Sequence, residues 1–416
     1  MVNYSHIPSS LSKKWLDLFV LLLLAYDILG YITNGPIISI LRWTLLAWLI
    51  VGFIRNLASV HKSPVLIKML AVLFIMFFVY GLLIILEKKV FVVWRTNYRI
   101  VRSITYILQI SFSLLPIFVF YHFGKIGVLT KKYIISRIPI FLMAITCCYY
   151  LAGQARMEFK EAEEITNNSG YLVLSIVPMF MFLKNRSLKQ YLCWALCLGL
   201  ILFSMKRGAI IISILLIGIY FLYLFRKSKR STILNIFFAL IIALVGAYYS
   251  FEEMMSSSEY FQARVDKTME GNSSGRDVIY TFFWEYYISE TTPKEFLVGM
   301  GANATLDIFG QYAHNDWLEI AINQGLLGLV VYLLFWISFL WICLKKNVPP
   351  DVRVVLWMLF TIYFLKSVFS MSYREFTIYS SIVLGYCLAI VNNQDSLLYT
   401  RNKVDALLKK IRVILS

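Results

Sequence analysis

Charge is scarce in this sequence. Only 15% of its 416 residues are Asp, Glu, Lys or Arg, against 60% that are apolar, and no single soluble core could bury that much hydrophobic surface. A water-soluble globular fold is excluded, and the bilayer is the solvent. Cysteine is also sparse: Cys147, Cys148, Cys193, Cys197, Cys343 and Cys387 all lie within or at the edges of apolar runs. Their spacing fits neither a zinc site nor a disulfide framework, so they read as small buried hydrophobes. No small-residue cleavage site follows the apolar run after Lys13 and Lys14, so that run reads as a retained first helix. No internal repeat stands out.

What the sequence does have is a succession of apolar runs near the roughly 20 residues needed to cross hydrocarbon. Twelve candidate spans fall near 15–33, 36–54, 65–86, 103–121, 134–152, 169–183, 190–204, 208–225, 232–250, 317–343, 352–371 and 376–391, the sixth and seventh being short. This predicts an all-α polytopic membrane protein: helices over 1–250, one large loop at 251–316, three more helices over 317–391, and a basic amphipathic tail at 392–416.

The net charge of +17 could suggest nucleic acid as a partner. The Lys and Arg residues sit in short clusters between apolar runs, however, and form no basic face, so they are a topology signal. With the N-terminus in the cytoplasm, the inward segments hold 23 Lys and Arg and the longer outward segments 14. That bias places both termini inside. One segment strains it, because EKKVFVVWRTNYRIVR at 87–102 is basic yet outward.

The long loop alternates Ser- and Gly-rich turns with aromatic stretches such as VIYTFFWEYY, which predicts a small helical cap on the outer membrane surface. Long structured loops are usually functional. It ends in His-Asn-Asp-Trp at 314–317, and His314 is the one histidine this topology places outside at a span boundary. Histidine is the side chain best suited to take a proton near neutral pH, although a lone interfacial histidine is more often a polar anchor. Its company favours chemistry: Asn315, Asp316 and Glu319 surround it, with Asn315 and Glu319 spaced i, i+4.

Two arginines face the same side. Arg207, beside Lys206 in SMKRGA, either snorkels to headgroups or meets a phosphate with its planar fork. Arg276 follows GNSSG at a turn-to-helix boundary, where it either binds an anion or pairs with Asp277 or Glu285. Glu319 would enter the membrane and needs a cation or a polar cavity; Asp27, Arg42, Lys366 and Arg374 are the other charges at that depth. Carboxylates and histidine recur in no ligand pattern and no outward Asp-x-Asp exists, so neither a metal nor another cofactor is expected.

These residues carry a resemblance. SMKRGAIII at 204–212, SGRDVIYTFFWEYY with PKEFLVGMGAN within 274–303, and HNDWLEIAINQGLLGLVVYLLFW at 314–336 resemble, in that order, the motifs of the O-antigen polymerase and ligase family of bacterial membrane glycosyltransferases. The resemblance covers roughly the C-terminal half. It implies a GT-C-like fold of about twelve transmembrane helices with a periplasmic helical cap, in the bacterial inner membrane. It also implies transfer of a glycan from undecaprenyl pyrophosphate to a sugar hydroxyl, inverting and metal-independent.

Carried over by position, His314 matches the family's base and Arg207 and Arg276 its pyrophosphate-binding arginines. Lys206, Asn315, Asp316, Glu319 and Arg374 are expected to bind substrate. Membrane lipids and the undecaprenyl-pyrophosphate-linked oligosaccharide are the expected partners, with a polysaccharide chain-length regulator as a further candidate and no nucleic acid. The basic loop 87–102 is expected to gather anionic lipid substrates.

A polymerase is favoured over a ligase acting on lipid A-core, on the SMKRGA form. A lipid-linked oligosaccharide flippase or other transporter is the reading from a different class. It would place its charges at the bilayer midplane and on discontinuous helices.

Overall fold

The computed structural model describes residues 10–32, 35–58, 60–93, 99–157, 169–184, 187–204, 206–227 and 275–395, with isolated positions between 245 and 266. It is an all-α polytopic membrane protein. Among the described residues, seven helices are long and apolar enough to cross a bilayer. They are α2 (Pro36–Leu57), α3 (Val65–Leu86), α4 (Ser103–Lys125), α5 (Lys131–Met157, apolar to Gly153), α8 (Arg207–Lys227), α12 (Asp316–Leu344) and α13 (Pro350–Phe369). Helix α1 (Ser10–Ile32) and a last helix, α14, at 378–395 stand where the first and twelfth spans are expected.

Three expectations change. The sixth span is no single helix: a short α6 (Ser169–Leu174) gives way to a 3-10 turn (Val177–Phe182) before α7 (Leu188–Phe203). Pro178 at the start of that turn lacks the N–H that would continue an α-helix. The basic segment 87–102 is a β-hairpin, with β1 (Val90–Val93) antiparallel to β2 (Arg99–Arg102) in the register Val90↔Arg102 to Val93↔Arg99. Its Lys89 pairs with Glu87 at 3.3 Å and Asp307 at 3.7 Å. The ninth span, all of the 251–274 loop apart from isolated positions, and the 396–416 tail lie outside the described residues.

The third change matters most. The tenth span, expected to run unbroken over 317–343, departs from helical geometry at Gly325, where φ is 66° and ψ −162°. Residues 326–344 alone give about 28 Å of helix, enough to cross the hydrocarbon. The segment 316–324 is thereby a separate, polar-rich piece at one end of the crossing helix.

Close helix packing comes from small residues, as in other membrane bundles. A Cβ on Gly385 would stand 2.7 Å from the Tyr121 backbone nitrogen, so α4 and α14 touch backbone to backbone. An aromatic seam of Trp336, Phe339, Phe360 and Phe364 joins α12 to α13, with Phe360 and Phe364 stacked at 5.3 Å. This pairing brings the start of α12 against the end of α13.

Candidate functional site

The break at Gly325 organises the site. Beyond it the helix cannot supply i+4 donors to Ile322 and Asn323, and a buried unpaired carbonyl is costly. The loop 299–303 supplies the donors: Met300 N–H donates to Ile322 O at 2.9 Å and Gly301 N–H to Asn323 O at 3.0 Å. This requires backbones in direct contact. A Cβ on Gly299 would meet Asn323 O at 2.4 Å, and one on Gly325 would meet Gly299 N at 2.5 Å. The Gly-x-Gly and Gly-Leu-x-Gly patterns are thus two halves of one junction.

That junction aims the polar first segment of α12. Asn315 is its N-cap, outside the helix, with Oδ1 accepting from Trp317 N at 2.9 Å and Leu318 N at 3.2 Å. Its Nδ2 donates to Val368 O at 3.0 Å. Asn315 and Glu319 therefore face different partners despite their i, i+4 spacing. The Glu319 carboxylate turns inward and accepts from Ala313 N at 2.6 Å, Thr305 Oγ1 at 2.9 Å and Asn323 Nδ2 at 3.1 Å.

The cation Glu319 needs is Arg374, whose Nη2 lies 3.9 Å away with both side chains buried. Arg374 also donates to Tyr373 Oη at 2.7 Å and Asn303 Oδ1 at 2.8 Å. The rings of Tyr106, Tyr312 and Tyr373 surround its guanidinium at 4.8–5.1 Å. Asp316 is equally enclosed. Its carboxylate accepts from Ser372 N at 2.9 Å, Ser372 Oγ at 2.5 Å, Tyr373 N at 3.2 Å and Tyr332 Oη at 2.6 Å, which ties the 370–377 loop to α12.

His314 emerges between these anchors with φ 53°, a left-handed conformation that costs a non-glycine residue energy. Its neighbours hold it there. Ala313 N–H is bound by Glu319, and Tyr280 Oη donates to His314 O at 3.1 Å and sits 3.2 Å from Val368 O. His314 keeps contact with solvent although protein packs around it, and its ring makes no hydrogen bond among the described residues. Crowding by surrounding protein and the positive charges of Arg276 and Lys206 push its pKa down to about 4, with Glu375 opposing them. The imidazole is neutral at physiological pH and has a nitrogen free to accept a proton.

The cations gather beside it. Arg276 opens α9 (Arg276–Glu285) after Gly275, whose φ of 73° makes the turn, and donates Nη1 to Phe369 O at 2.6 Å. Arg207 opens α8, and Gly208 next to it lets the Tyr171 hydroxyl approach to 2.1 Å of where a Cβ would stand, with Phe369 at 3.6 Å. Lys206 and Lys366 both lie over the Tyr171 ring, at 5.8 and 5.1 Å. Lys366 pairs with Glu375 at 2.5 Å. Phe369 and Tyr171 thus link the SMKRG and GRD stretches, and the adjacent Val368 carbonyl joins HND to them.

Of the eight residues chosen from sequence, Lys206, Arg276 and His314 come together here and Arg207 opens the helix beside Lys206, while the side chains of Asn315, Asp316, Glu319 and Arg374 are engaged within the protein. Sequence reading missed Tyr171 and Tyr280. Tyr280 stands one helical turn after Arg276, a spacing that could have found it; nothing in the sequence singles out Tyr171.

A multi-pass membrane protein with a neutral histidine among cations, just before the start of a broken helix, is the class these features define. Residues 192–333, a minority of the chain, match the family model described as O-Antigen ligase, so this stretch is similar to a family whose members are membrane glycosyltransferase-like enzymes. The match runs from α7 into α12. It includes Lys206, Arg207, Arg276, His314, Asn315, Asp316 and Glu319, but not Tyr171, Lys366 or Arg374. No curated protein matches the chain.

Proposed function

We propose that the protein is a surface-polysaccharide polymerase of the bacterial inner membrane. In this reading it transfers a growing glycan from undecaprenyl pyrophosphate to a sugar hydroxyl of a lipid-linked repeat unit, on the periplasmic side. One observation carries it: an uncharged, unbonded His314 imidazole stands in the positive field of Arg276 and Lys206, with Arg207 next to Lys206 in the chain.

The chemistry follows from that arrangement. His314 takes the proton of the acceptor hydroxyl as its oxygen bonds to the donor's anomeric carbon from the side opposite the leaving group. The anomeric C–O bond breaks, and the pyrophosphate leaves with the electron pair, its charge met by Arg207 and Arg276. Attack from the opposite side inverts the anomeric centre. Before the donor binds, Arg276 and Lys206 hold the imidazole's proton affinity low; a bound pyrophosphate offsets their charge and makes His314 a stronger base when it is needed.

The family description favours a second reading, a ligase that hands the finished chain to lipid A-core. Replacing His314 with Ala in the native strain separates the two on a glycolipid gel. The polymerase reading expects loss of the ladder with single repeat units still attached to lipid A-core. A ligase would instead lose all attached glycan and accumulate lipid-linked polymer. An unchanged ladder with normal expression refutes catalysis by His314.

A further inference from the structure

A second space, with a few polar groups in a largely apolar lining, lies outside the stretch that matches the family. It is a cavity of about 460 Å³ bounded by α1, α2, α4, α5, α6 and the 374–378 segment, within the range of small-molecule sites. Asp27, Arg42 and Gln109 line it, each one to two turns from the helix end on the face that carries His314: Asp27 near the end of α1, Arg42 near the start of α2, Gln109 near the start of α4.

Charges at this depth normally pair with each other, because unpaired ones are costly in an apolar surround. Asp27 and Arg42 do not. Asp27 has no hydrogen-bond or ion-pair partner among the described residues, and Arg42 Nε is buried with none. The Arg42 guanidinium stands 5.9 Å from the Tyr26 ring, which stacks on Phe112 at 4.6 Å. The cavity thus offers an unmet acceptor, an unmet donor and an aromatic pair.

An anion would face Asp27 and Glu375, and a cation would face Arg42 and Arg374. A neutral polyhydroxylated ring satisfies both: its hydroxyls donate to Asp27 and accept from Arg42, and its C–H face lies on an aromatic. The cavity also abuts the cationic site. Leu172 lines it next to Tyr171, and Glu375 lines it while holding Lys366. Its volume has room for a short glycan and none for a growing polymer.

We propose that this cavity is the carbohydrate-binding subsite for the acceptor, taking one or two sugar units of a lipid-linked repeat unit while the donor's pyrophosphate occupies the cations. The assignment rests on the polymerase reading above, and the experiment keeps the two apart.

The probe is the oligosaccharide released from the strain's own surface polysaccharide by mild acid, which carries neither lipid nor pyrophosphate. Its binding to full-length protein in nanodiscs is measured by calorimetry, alongside binding of undecaprenyl pyrophosphate. Saturable binding to the wild type, weakened at least tenfold in Asp27→Asn and in Arg42→Gln with the pyrophosphate affinity within twofold, is the expected result. Asp27→Asn removes an unpaired charge and keeps its shape, so its melting temperature should equal or exceed the wild type, which a structural role for Asp27 would not give.

No binding by the wild type, or unchanged binding in both variants, overturns the subsite. Loss of pyrophosphate binding in either variant overturns the carbohydrate assignment in favour of an anion site. His314→Ala should bind the oligosaccharide like wild type; if it also keeps full transfer, the proposed function fails while the subsite stands.

Discussion

The helix break at Gly325 gives the sharpest quantitative test. Gly325→Ala asks alanine to adopt φ 66° and ψ −162°, a region nearly exclusive to glycine, at about 1–3 kcal/mol. Its Cβ would also lie 2.5 Å from Gly299 N and 2.6 Å from Leu297 O, backbone atoms that cannot swing aside. Separating the two strands of the junction gives up the Met300–Ile322 and Gly301–Asn323 hydrogen bonds, about 1 kcal/mol each. The sum is about 3–5 kcal/mol if the junction opens, and the first segment of α12 loses its aim at the same time. Gly218 in α8 is the control, because nothing lies within 4 Å of a Cβ there. Alanine at Gly218 should be neutral or stabilise by up to about 1 kcal/mol. Thermal unfolding of both purified variants and the glycolipid ladder are the assays. A Gly325→Ala protein that melts with the wild type and makes a full ladder would refute the break as the device that positions His314.

The buried Glu319–Arg374 pair predicts that Glu319→Gln costs about 3–5 kcal/mol, because Arg374 keeps its charge without a counterion; equal melting temperatures would contradict this. His314 has a folded pKa of about 4 against an unfolded value near 6.5, so the unfolded chain binds more protons between those values. Stability from this residue therefore falls as pH drops from 6.5 toward 4 and is constant above about 7. NMR titration of His314 should give a midpoint near 4 that rises in Arg276→Gln, and a midpoint of 6.5 in the wild type would refute the crowding. Gly208→Ala pushes on the Tyr171 hydroxyl and should cut transfer roughly tenfold or more with little loss of fold, and Tyr171→Phe in the same chain should restore part of it. Additive effects in that double variant would show that the two residues do not act through contact.

The long helices were legible because hydropathy and length suffice for a membrane span, and their ends follow the Pro and Asn signals at Pro36, Pro350 and Asn315. The break in α12 was not, since Gly-Leu-x-Gly inside an apolar run reads as helix until the opposing Gly299 backbone is known. The hairpin at 90–102 carried a signal that topology overrode: VFVV and RIVR are β-branched and aromatic stretches of strand length, too short to span. At the site, the three motifs were visible one by one. Their convergence was not, because it runs through Phe369 O, the Val368 carbonyl and the Tyr171 ring, none of which differs in sequence from ordinary apolar packing.

The same limit explains why acidic residues next to His314 could be read as substrate contacts. Asp316 and Glu319 hold the backbone around it, and if they faced the cations they would repel an anionic donor. Among the described residues, the carboxylate that acts on His314 is Glu375, which already favours the protonated imidazole and is restrained by Lys366. Lys366→Met should therefore free a negative charge beside the donor's position: undecaprenyl pyrophosphate should bind roughly tenfold more weakly and the His314 midpoint should climb above 4. Adding Glu375→Gln to the same chain removes that charge and should bring both quantities back. If Lys366→Met binds pyrophosphate like wild type, or if the second substitution fails to restore binding in a folded protein, the site is not kept positive by withdrawing its carboxylates.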